Sequence, residues 1–369
     1  MRRRIVFLII CAILLIPPLI PATRAQYVEV RILAEWDSEA EQDDFQTLLL
    51  PFFRENNVQP NLIAAVDLEE TLRDEIEAGM PPDIVLMSDP GLMRQYAQSG
   101  QLVDLGATLG DPGYAAYLKE AVSVNDVQYG RFIRLNAKAL GWTNQTLLTS
   151  NGFNIPDSWE QADISASQMM VMGRPPWSLG LEGGEMGADI IETILLQRHG
   201  PDVLNGLADG SISWSDERVR EAWTTFGELL DMGVSGDPDS LSPVDATLSL
   251  WSNPPRAYFS AASSNAYAWI ARDSDVADGD VGFFVLPAGD QTNRVVVGGD
   301  FMVLFNTTPM TLALAEYLAA PETSAAWAEL GSAISPYPGA AYPGQVMPAI
   351  AELIDTGDPA FDLSDRLPP

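Results

Sequence analysis

The chain has 369 residues, 47% hydrophobic and 19% charged, which is enough length for two lobes and enough apolar surface for a large core. The formal net charge of −31 excludes an ordinary nucleic-acid-binding protein, because phosphate contacts need clustered basic residues. The only cysteine and the only histidine, Cys11 and His199, exclude zinc hydrolases and cysteine proteases.

The first 25 residues have the pattern of a secretory signal peptide. Three arginines at 2–4 precede an apolar run over 5–16, and small residues lead to Ala25. We expect cleavage after Ala25; the alternative is an uncleaved anchor, although the run is shorter than the roughly 20 residues that span a bilayer. Cys11 lies too early for lipoprotein processing. We therefore expect an exported protein, in the periplasm or at the outer face of the cell membrane.

Strands and helices alternate after the signal. Polar and apolar residues alternate over 27–33, which predicts a first strand, and a helix with one apolar stripe follows. The stripe consists of Phe45, Leu48, Leu49, Phe52 and Phe53. Pro51 is expected to bend this helix or end its regular part. A second strand over 61–66, another helix and a buried third strand over 83–87 complete repeated β-α-β units, which predict a parallel sheet flanked by helices.

Two pairs of extended segments are interpreted as crossings between two lobes. The first pair covers 132–135 and 137–142, and the second covers 281–286 and 295–305. The predicted domains are therefore a signal peptide and two discontinuous lobes. Their bounds are 1–25 for the signal, 26–135 plus 281–306 for the first lobe, and 136–280 plus 307–369 for the second.

Helices dominate the second half of the chain. The clearest covers 216–230 and places Val219, Trp223 and Phe226 on one face. We expect Trp223 and Trp327 to belong to the core. Thr308 followed by Pro309 predicts the start of another helix.

Polar residues at strand exits and tryptophans near turns are the candidate ligand contacts. Ser88 and Asp89 follow the third strand, where open α/β sheets bind ligands. Trp36, Trp177 and Trp251 lie beside turn residues. Their rings would stack on the C–H faces of a sugar while acids and amides bind its hydroxyls. The alternative for any one tryptophan is core packing.

A second polar loop contains Gly299 and Asp300. The glycine lets the backbone approach a ligand closely, and the carboxylate accepts hydroxyl hydrogen bonds. The alternative is a bulge or tight turn within a hairpin. No nucleotide-binding glycine motif occurs in the sequence.

Several segments, in this order, resemble the extracellular solute-binding proteins of bacterial ABC importers, family 1, and the alpha-glucoside type among them. The segments are 80–84, 100–105, 156–160, 176–182, 298–300, 317–322 and 334–336. The resemblance runs from about residue 27 to the end of the chain. Relatives commonly continue beyond the segment that resembles 363–368, so we expect a C-terminally shortened second lobe.

The resemblance implies an α/β, two-lobed periplasmic-binding-protein-like fold of type II, in which each lobe is a sheet flanked by helices and a hinge joins the lobes. By position it assigns contacts in both lobes to the ligand. They are Trp36, Asp37, Ser88, Asp89, Trp177, Glu182, Gly299 and Asp300, to which the turn argument adds Trp251. It implies no catalysis, no cofactor and no metal.

We therefore expect a monomer that captures a sugar or oligosaccharide and delivers it to the permease subunits of an ABC importer. Three alternatives remain open from the residues alone. The same fold could carry a non-sugar polar solute such as a polyol or polyamine, the chain could be an exported glycosidase with two carboxylates, or it could be a structural surface protein.

Overall fold

A computed structural model describes residues 28–35, 39–65, 67–273, 276–286 and 294–367. The predicted signal peptide, Trp36 and Asp37 lie outside the described residues. Within these ranges, no helix has both the length and the apolar character that crossing a membrane requires.

The strands of the described residues are β1 (Val28–Glu35), β2 (Val58–Ala65), β3 (Ile84–Met87), β4 (Ser123–Val124), β5 (Val127–Gln128), β6 (Arg131–Ala137), β7 (Leu140–Asn144), β8 (Trp177–Ser178), β9 (Phe259–Ala262), β10 (Val281–Val285), β11 (Arg294–Leu304) and β12 (Asp358–Phe361).

The α-helices of the same residues are α1 (Glu39–Asn56), α2 (Leu68–Glu77), α3 (Pro90–Gln98), α4 (Leu105–Leu109), α5 (Ala116–Ala121), α6 (Gln145–Ser150), α7 (Trp159–Val171), α8 (Glu185–His199), α9 (Pro201–Ala208), α10 (Glu217–Asp231), α11 (Pro243–Leu248), α12 (Ala266–Asp273), α13 (Pro309–Leu318), α14 (Pro321–Glu329) and α15 (Val346–Thr356).

The first sheet has a parallel core. β1 lies between β2 and β3 and runs parallel to both, with Ile32 opposite Leu62 and Ile84. β11 pairs antiparallel with β3 and β6 and parallel with β12. Because β1 and β3 are parallel neighbours, the loops that follow them leave the sheet at the same edge.

The second sheet is smaller and mostly antiparallel. β7 pairs with β9 on one side and β10 on the other, and β8 adds parallel to β9. The chain passes from the first sheet to the second at Lys138 and Ala139, between β6 and β7. This architecture confirms the predicted two-lobed α/β fold class.

The packing of the C-terminal half changes the lobe boundaries that the sequence predicts. Leu314 and Leu318 of α13 and Trp327 of α14 share a buried cluster with Ile32 of β1 and Phe45 of α1. The prediction placed 307–369 in the second lobe, but these helices cover the first sheet.

Two strands also lie on the other side of the predicted boundaries. β12 pairs with β11 in the first sheet, whereas β10, predicted in the first lobe, pairs with β7 in the second. We therefore propose a first lobe that includes 294–329 and β12, and a second lobe that extends through β10.

Individual helices follow their predicted signals with two exceptions. Thr308 caps α13 by accepting a hydrogen bond from the backbone N–H of Thr311, as expected. Pro51 lies inside α1, which continues to Asn56, so it does not end the helix; the other alternative, a bend at Pro51, stays a prediction. Trp327 is buried, but Trp223 is 57% exposed, so its assignment to the core was wrong.

Candidate functional site

A cavity of about 380 Å³ lies between the two lobes, at the edge of the first sheet where β1 and β3 end. Both lobes contribute to its wall. So do residues 362–367, which follow β12 and are called the C-terminal segment. The lining residues are Glu35, Leu86, Met87, Ser88, Asp89, Arg134, Asn136, Lys138, Glu185, Asp189, Asn265, Asp300, Ser364 and Asp365.

The exit of β3 places a capped carboxylate in this wall. All four residues of β3 are buried, and Ser88 and Asp89 follow at its end. Asp89 is the N-cap of α3 and accepts a hydrogen bond from the backbone N–H of Leu92 at 2.9 Å. Burial raises the pKa of Asp89, and the bonds from the helix N–H groups oppose that rise. This hydrogen bond fixes the carboxylate at the start of α3, where it lines the cavity.

Asp300, on β11, is held by a buried arginine. Arg134 Nε lies 2.6 Å from Asp300 Oδ2, and Arg134 Nη1 lies 2.9 Å from Glu41 Oε1. The guanidinium also stacks over the ring of Trp327, 5.0 Å from its centroid. Burial disfavours the charge of Arg134, but the two carboxylates outweigh burial and raise its pKa. The arginine therefore stays charged and fixes Asp300 at the cavity wall.

The second cation of the cavity, Lys138, lies at the crossing between the sheets. Its Nζ is 3.1 Å from Asp362 Oδ2, 3.7 Å from Asp365 Oδ2 and 3.9 Å from Asp189 Oδ1. Asp189 belongs to α8, and the other two carboxyls belong to the C-terminal segment. One ammonium thus joins the crossing segment, the second lobe and the C-terminal segment.

Three carboxyls around one ammonium cannot all be ionised at low cost. Burial raises the pKa of Asp189 to about 7, although Lys138 opposes the rise. Burial and the charge of Asp362 raise the pKa of Asp365 well above its usual range. Burial acts in the same direction on Asp362, but Lys138 and nearby hydrogen bonds outweigh it and lower the pKa of that carboxyl. The cluster therefore retains protons near neutral pH.

The C-terminal segment is anchored to α8 by a further carboxylate. Glu192 accepts hydrogen bonds from the backbone N–H of Leu363 at 2.7 Å and of Ser364 at 2.8 Å. Burial, followed by the charge of Asp362, raises the pKa of Glu192 well above its usual value. This contact positions Ser364 and Asp365 in the cavity wall.

The structure brings together part of the predicted site. Ser88, Asp89 and Asp300 all line the cavity. Trp36 and Asp37 lie outside the described residues, but they directly follow Glu35, which lines the cavity.

The remaining predicted contacts lie elsewhere. Trp177 is 1% exposed and packs against Phe259 and Phe284 in the core of the second sheet, with ring centroids 5.3 and 6.3 Å away. It does not line the cavity, and both residues of β8 are buried. Trp251 is half-buried against the same core, and Glu182 is exposed and donates its backbone N–H to the carbonyl oxygen of Leu241; neither lines the cavity.

Gly299 has a packing role between strands. A Cβ at this position would come within 2.4 Å of the carbonyl oxygen of Arg134, so the glycine allows β11 to lie close to β6. At the neighbouring Gly298, a Cβ would lie 2.5 Å from Cε of Lys138. The prediction was that the glycine lets the backbone approach a ligand; the close approach that the structure shows is between strands, and Gly299 itself is not a lining residue.

The sequence interpretation missed several lining residues. They are Glu35, Arg134, Asn136, Lys138, Glu185, Asp189, Asn265, Ser364 and Asp365. One signal was available: Lys138 is one of only two lysines in a strongly acidic chain, and it lies in the predicted crossing segment.

The cavity offers mainly hydrogen-bond acceptors. Of its described lining residues only Leu86 and Met87 are apolar, and none is aromatic. Six carboxyl side chains face two cations, and both cations already contact carboxylates. Such a wall suits a ligand that donates hydrogen bonds, and it disfavours an anion. In the part of the chain that the structure describes, no group of three His, Cys, Asp or Glu could hold a metal ion.

Comparisons with known proteins agree with this geometry. Residues 34–325 match the family described as bacterial extracellular solute-binding protein. The chain is 28% identical to the osmoprotective compounds-binding protein GgtB of Synechocystis, over 89% of this chain and 82% of that protein. It is 23% identical to the alpha-glucosides-binding periplasmic protein AglE of Rhizobium meliloti, over 83% of this chain and 71% of AglE.

Solved structures share the fold at low sequence identity. The solute receptor AcbH, described with a preference for β-D-galactopyranose, superposes with a TM-score of 0.79 at 18% identity, over 92% of this chain and 89% of AcbH. The raffinose complex of RafE superposes with a TM-score of 0.71 at 16% identity, over 91% of this chain and 90% of RafE.

Proposed function

The chain belongs to the family of bacterial extracellular solute-binding proteins, which serve ABC importers, and from this premise we propose that its solute is a sugar or small oligosaccharide. The solute is captured between the two lobes and passed to the membrane permease. No catalytic step is assigned, because members of this family bind their substrates rather than convert them. The cavity of about 380 Å³ is near the lower end of the roughly 300–1,000 Å³ of small-molecule sites, which favours one or two sugar rings.

The observation that carries this proposal is the fixed set of acceptors contributed by both lobes. Asp89 and Asp300 come from the first lobe, and Glu185 and Asp189 come from α8 of the second. Sugar hydroxyls donate to ionised carboxylates and accept from a protonated carboxyl such as Asp189, so they replace their bonds to water with bonds to the protein. Asn136 adds an amide whose oxygen is buried and has no hydrogen-bond partner among the described residues, so a hydroxyl could satisfy it.

Similar proteins support the same solute class. GgtB is named for osmoprotective compounds and AglE for alpha-glucosides, and both match most of this chain. The structural neighbours AcbH and RafE are described with a galactopyranose and with raffinose. We transfer to this chain only what these ligands have in common, which is many hydroxyl groups on a neutral ring.

A cationic solute such as a polyamine is the second candidate. The excess of carboxyls over cations and the absence of aromatic rings among the described lining residues favour it. Against it, the raised pKa values of Asp189 and Asp365 reduce the negative charge of the wall near neutral pH. A neutral ligand fits such a partly protonated wall better than a cation does.

A binding screen tests the proposal on the purified protein. Thermal unfolding is measured with mono- and disaccharides, glycerol, putrescine and gluconate, and the hits are titrated by calorimetry. A ligand present at about 100 times its Kd should add roughly 2.7 kcal/mol of stability. We expect a neutral sugar to give this shift and to be recovered uncleaved. Stabilisation by putrescine or gluconate alone would reject the sugar assignment.

Export, monomeric state and closure belong to the same proposal. We propose that the segment 1–25 directs secretion and is removed, and that the lobes close around the solute about a hinge. N-terminal sequencing of the exported protein should begin at Gln26. Small-angle scattering should show a monomer whose radius of gyration falls when the sugar is added; an unchanged radius at saturating sugar would contradict closure.

A further inference from the structure

A second cavity, of about 500 Å³, lies between the lobes on a different set of residues. α3 and α5 of the first lobe form one side, α9 of the second lobe forms the other, and β12 forms the floor. Its lining residues are Arg94, Tyr117, Glu120, Ala121, Pro201, Asn205, Ala208, Asp209, Pro359, Ala360, Phe361 and Arg366. None of them lines the sugar cavity.

Arg366 extends into this cavity with one nitrogen unsatisfied. Its Nε donates to the carbonyl oxygen of Asp362 at 2.9 Å, and its Nη1 donates to Asn205 Oδ1 at 2.8 Å. Its Nη2 is buried and has no hydrogen-bond partner in the part of the chain that the structure describes. A buried guanidinium N–H without an acceptor costs free energy, so an acceptor supplied from outside would stabilise the protein.

A second arginine lies against the first. Arg94 Nη1 donates to the backbone carbonyl oxygen of Arg366 at 2.9 Å, which brings the two side chains to the same end of the cavity. Burial lowers the pKa of Arg366, and the positive charge of Arg94 acts in the same direction, while Glu192 and Asp362 oppose them. The two guanidiniums thus repel each other.

The surrounding acids do not neutralise this pair directly. Among the described residues neither Arg94 nor Arg366 forms an ion pair, although the chain has 51 acidic residues against 20 basic ones. Glu120 and Asp209 lie at the exposed rim, and Asp209 accepts a hydrogen bond from the backbone N–H of Ser211. Within the described ranges, no acidic side chain pairs with either arginine.

The rest of the cavity indicates which class of anion would bind beside the two arginines. Pro359, Ala360 and Phe361 give it an apolar floor, and Ala121 adds a methyl group on the side of α5. Inorganic anions gain nothing from such a surface, whereas an organic acid would rest its hydrocarbon part on it. The Tyr117 hydroxyl and the Asn205 amide NH₂ are further donors in the same wall.

We propose that this second cavity binds a small organic carboxylate, whose oxygens accept hydrogen bonds from Arg366 Nη2 and from Arg94. The guanidinium geometry matches a carboxylate, and the bound charge removes the repulsion between the two arginines. The ligand contacts α5 of one lobe and α9 of the other, so it binds at the junction of the lobes without entering the sugar cavity.

Thermal unfolding and calorimetry with benzoate and butyrate test this site, with chloride and inorganic phosphate at equal ionic strength as comparisons. We expect benzoate and butyrate to raise Tm with increasing concentration and to exceed the effect of both inorganic anions. Arg366→Gln should raise the Kd for benzoate about tenfold or more, since a charge-assisted hydrogen bond is lost. Arg73→Gln removes the same charge from an exposed position on α2 and should leave that Kd unchanged.

Crystals of the unmodified protein soaked in 4-bromobenzoate keep the test independent of how the variant folds. The expected result is an anomalous bromine peak between α5 and α9. Equal binding of benzoate by Arg366→Gln, stabilisation by phosphate but not by benzoate, or a bromine peak found only elsewhere would each overturn the proposal.

Discussion

Arg134 Nε lies 2.6 Å from Asp300 Oδ2, and this contact joins a buried cation of β6 to the predicted ligand carboxylate of β11. The same guanidinium binds Glu41 of α1 and stacks on Trp327 of α14. Four elements of the first lobe therefore meet at one side chain, and the wall of the cavity between the lobes is part of the packing that stabilises the first lobe.

Arg134→Met should destabilise the protein strongly. The substitution leaves Asp300 and Glu41 buried without their cation, and removing one partner of a buried pair costs about 3–5 kcal/mol. Urea unfolding measures the change, with Arg73→Met as the control for a surface arginine, expected within about 0.5 kcal/mol of the original protein. Equal unfolding midpoints for the two variants would show that the buried network contributes no net stability.

Asp89→Asn should weaken sugar binding while leaving the fold intact. Asparagine caps helices as well as aspartate does, so α3 keeps its first hydrogen bond, but the cavity loses a charged acceptor. We expect an affinity loss of about tenfold or more. Asp104→Asn is the matched control, because Asp104 caps α4 through the N–H of Ala107 and does not line the cavity. Calorimetry measures the sugar affinity of both variants. Equal affinities would show that Asp89 does not contact the ligand.

The local patterns of the sequence predicted the N-terminal elements of the first lobe. The alternation before Trp36 and the stripe at Phe45 predicted β1 and α1, and the exit of a buried strand predicted the positions of Ser88 and Asp89. These signals depend on neighbours within a few residues, and parallel strands bring their exits together without further information.

The rest of the site depends on contacts between distant segments. Lys138 meets Asp362 and Asp365 only because β12 pairs with β11, and no sequence period records that pairing. Trp177 was predicted in the cleft from the prolines before it, but its burial is decided by Phe259 and Phe284. Turn residues show where a chain bends, and they do not show which side of the bend becomes covered.

Stability should fall as the pH rises from about 4 to 7, in part because of Asp189. Its pKa is raised from 3.8 to about 7 in the folded protein, so in this window the folded state holds a proton that the unfolded state has released. Unfolding therefore releases a proton in this window, and each such group lowers the stability by up to about 1.4 kcal/mol per pH unit across it. Above the folded pKa this contribution is constant. Glu192 and Asp365 act in the same direction.

Asp189→Asn should reduce this pH dependence, because the amide resembles the protonated carboxyl. Chemical unfolding at pH 5 and pH 8 should show that the variant gains stability relative to the original protein at the higher pH. Parallel profiles for the two proteins would mean that Asp189 is ionised throughout the window.

Gly91→Ala should disturb the C-terminal part of the cavity wall. A Cβ at Gly91 would overlap the carbonyl oxygen of Leu367 and lie 2.9 Å from the carboxylate of Asp89. The C-terminal segment would have to move away from α3, at a cost of about 1–3 kcal/mol, and sugar affinity should fall with it. Gly187→Ala is the control: it is also helical, has open space around its Cβ, and should be neutral or stabilising by about 0.5–1 kcal/mol. A destabilised Gly187→Ala together with an unaffected Gly91→Ala would contradict this packing.

Trp177→Ala should lose stability, whereas Trp36→Ala should lose sugar affinity. Trp177 is packed between aromatic rings of the second sheet, so its truncation should cost about 3–5 kcal/mol of stability. Sugar affinity of the fraction that stays folded should be nearly unchanged, because the ring does not reach the cavity. Trp36 follows a residue of the cavity wall, and we expect its removal to weaken sugar binding with little effect on the urea midpoint. Calorimetry and urea unfolding on each variant separate the two roles. A stable Trp177→Ala protein that no longer binds the sugar would return Trp177 to the ligand site.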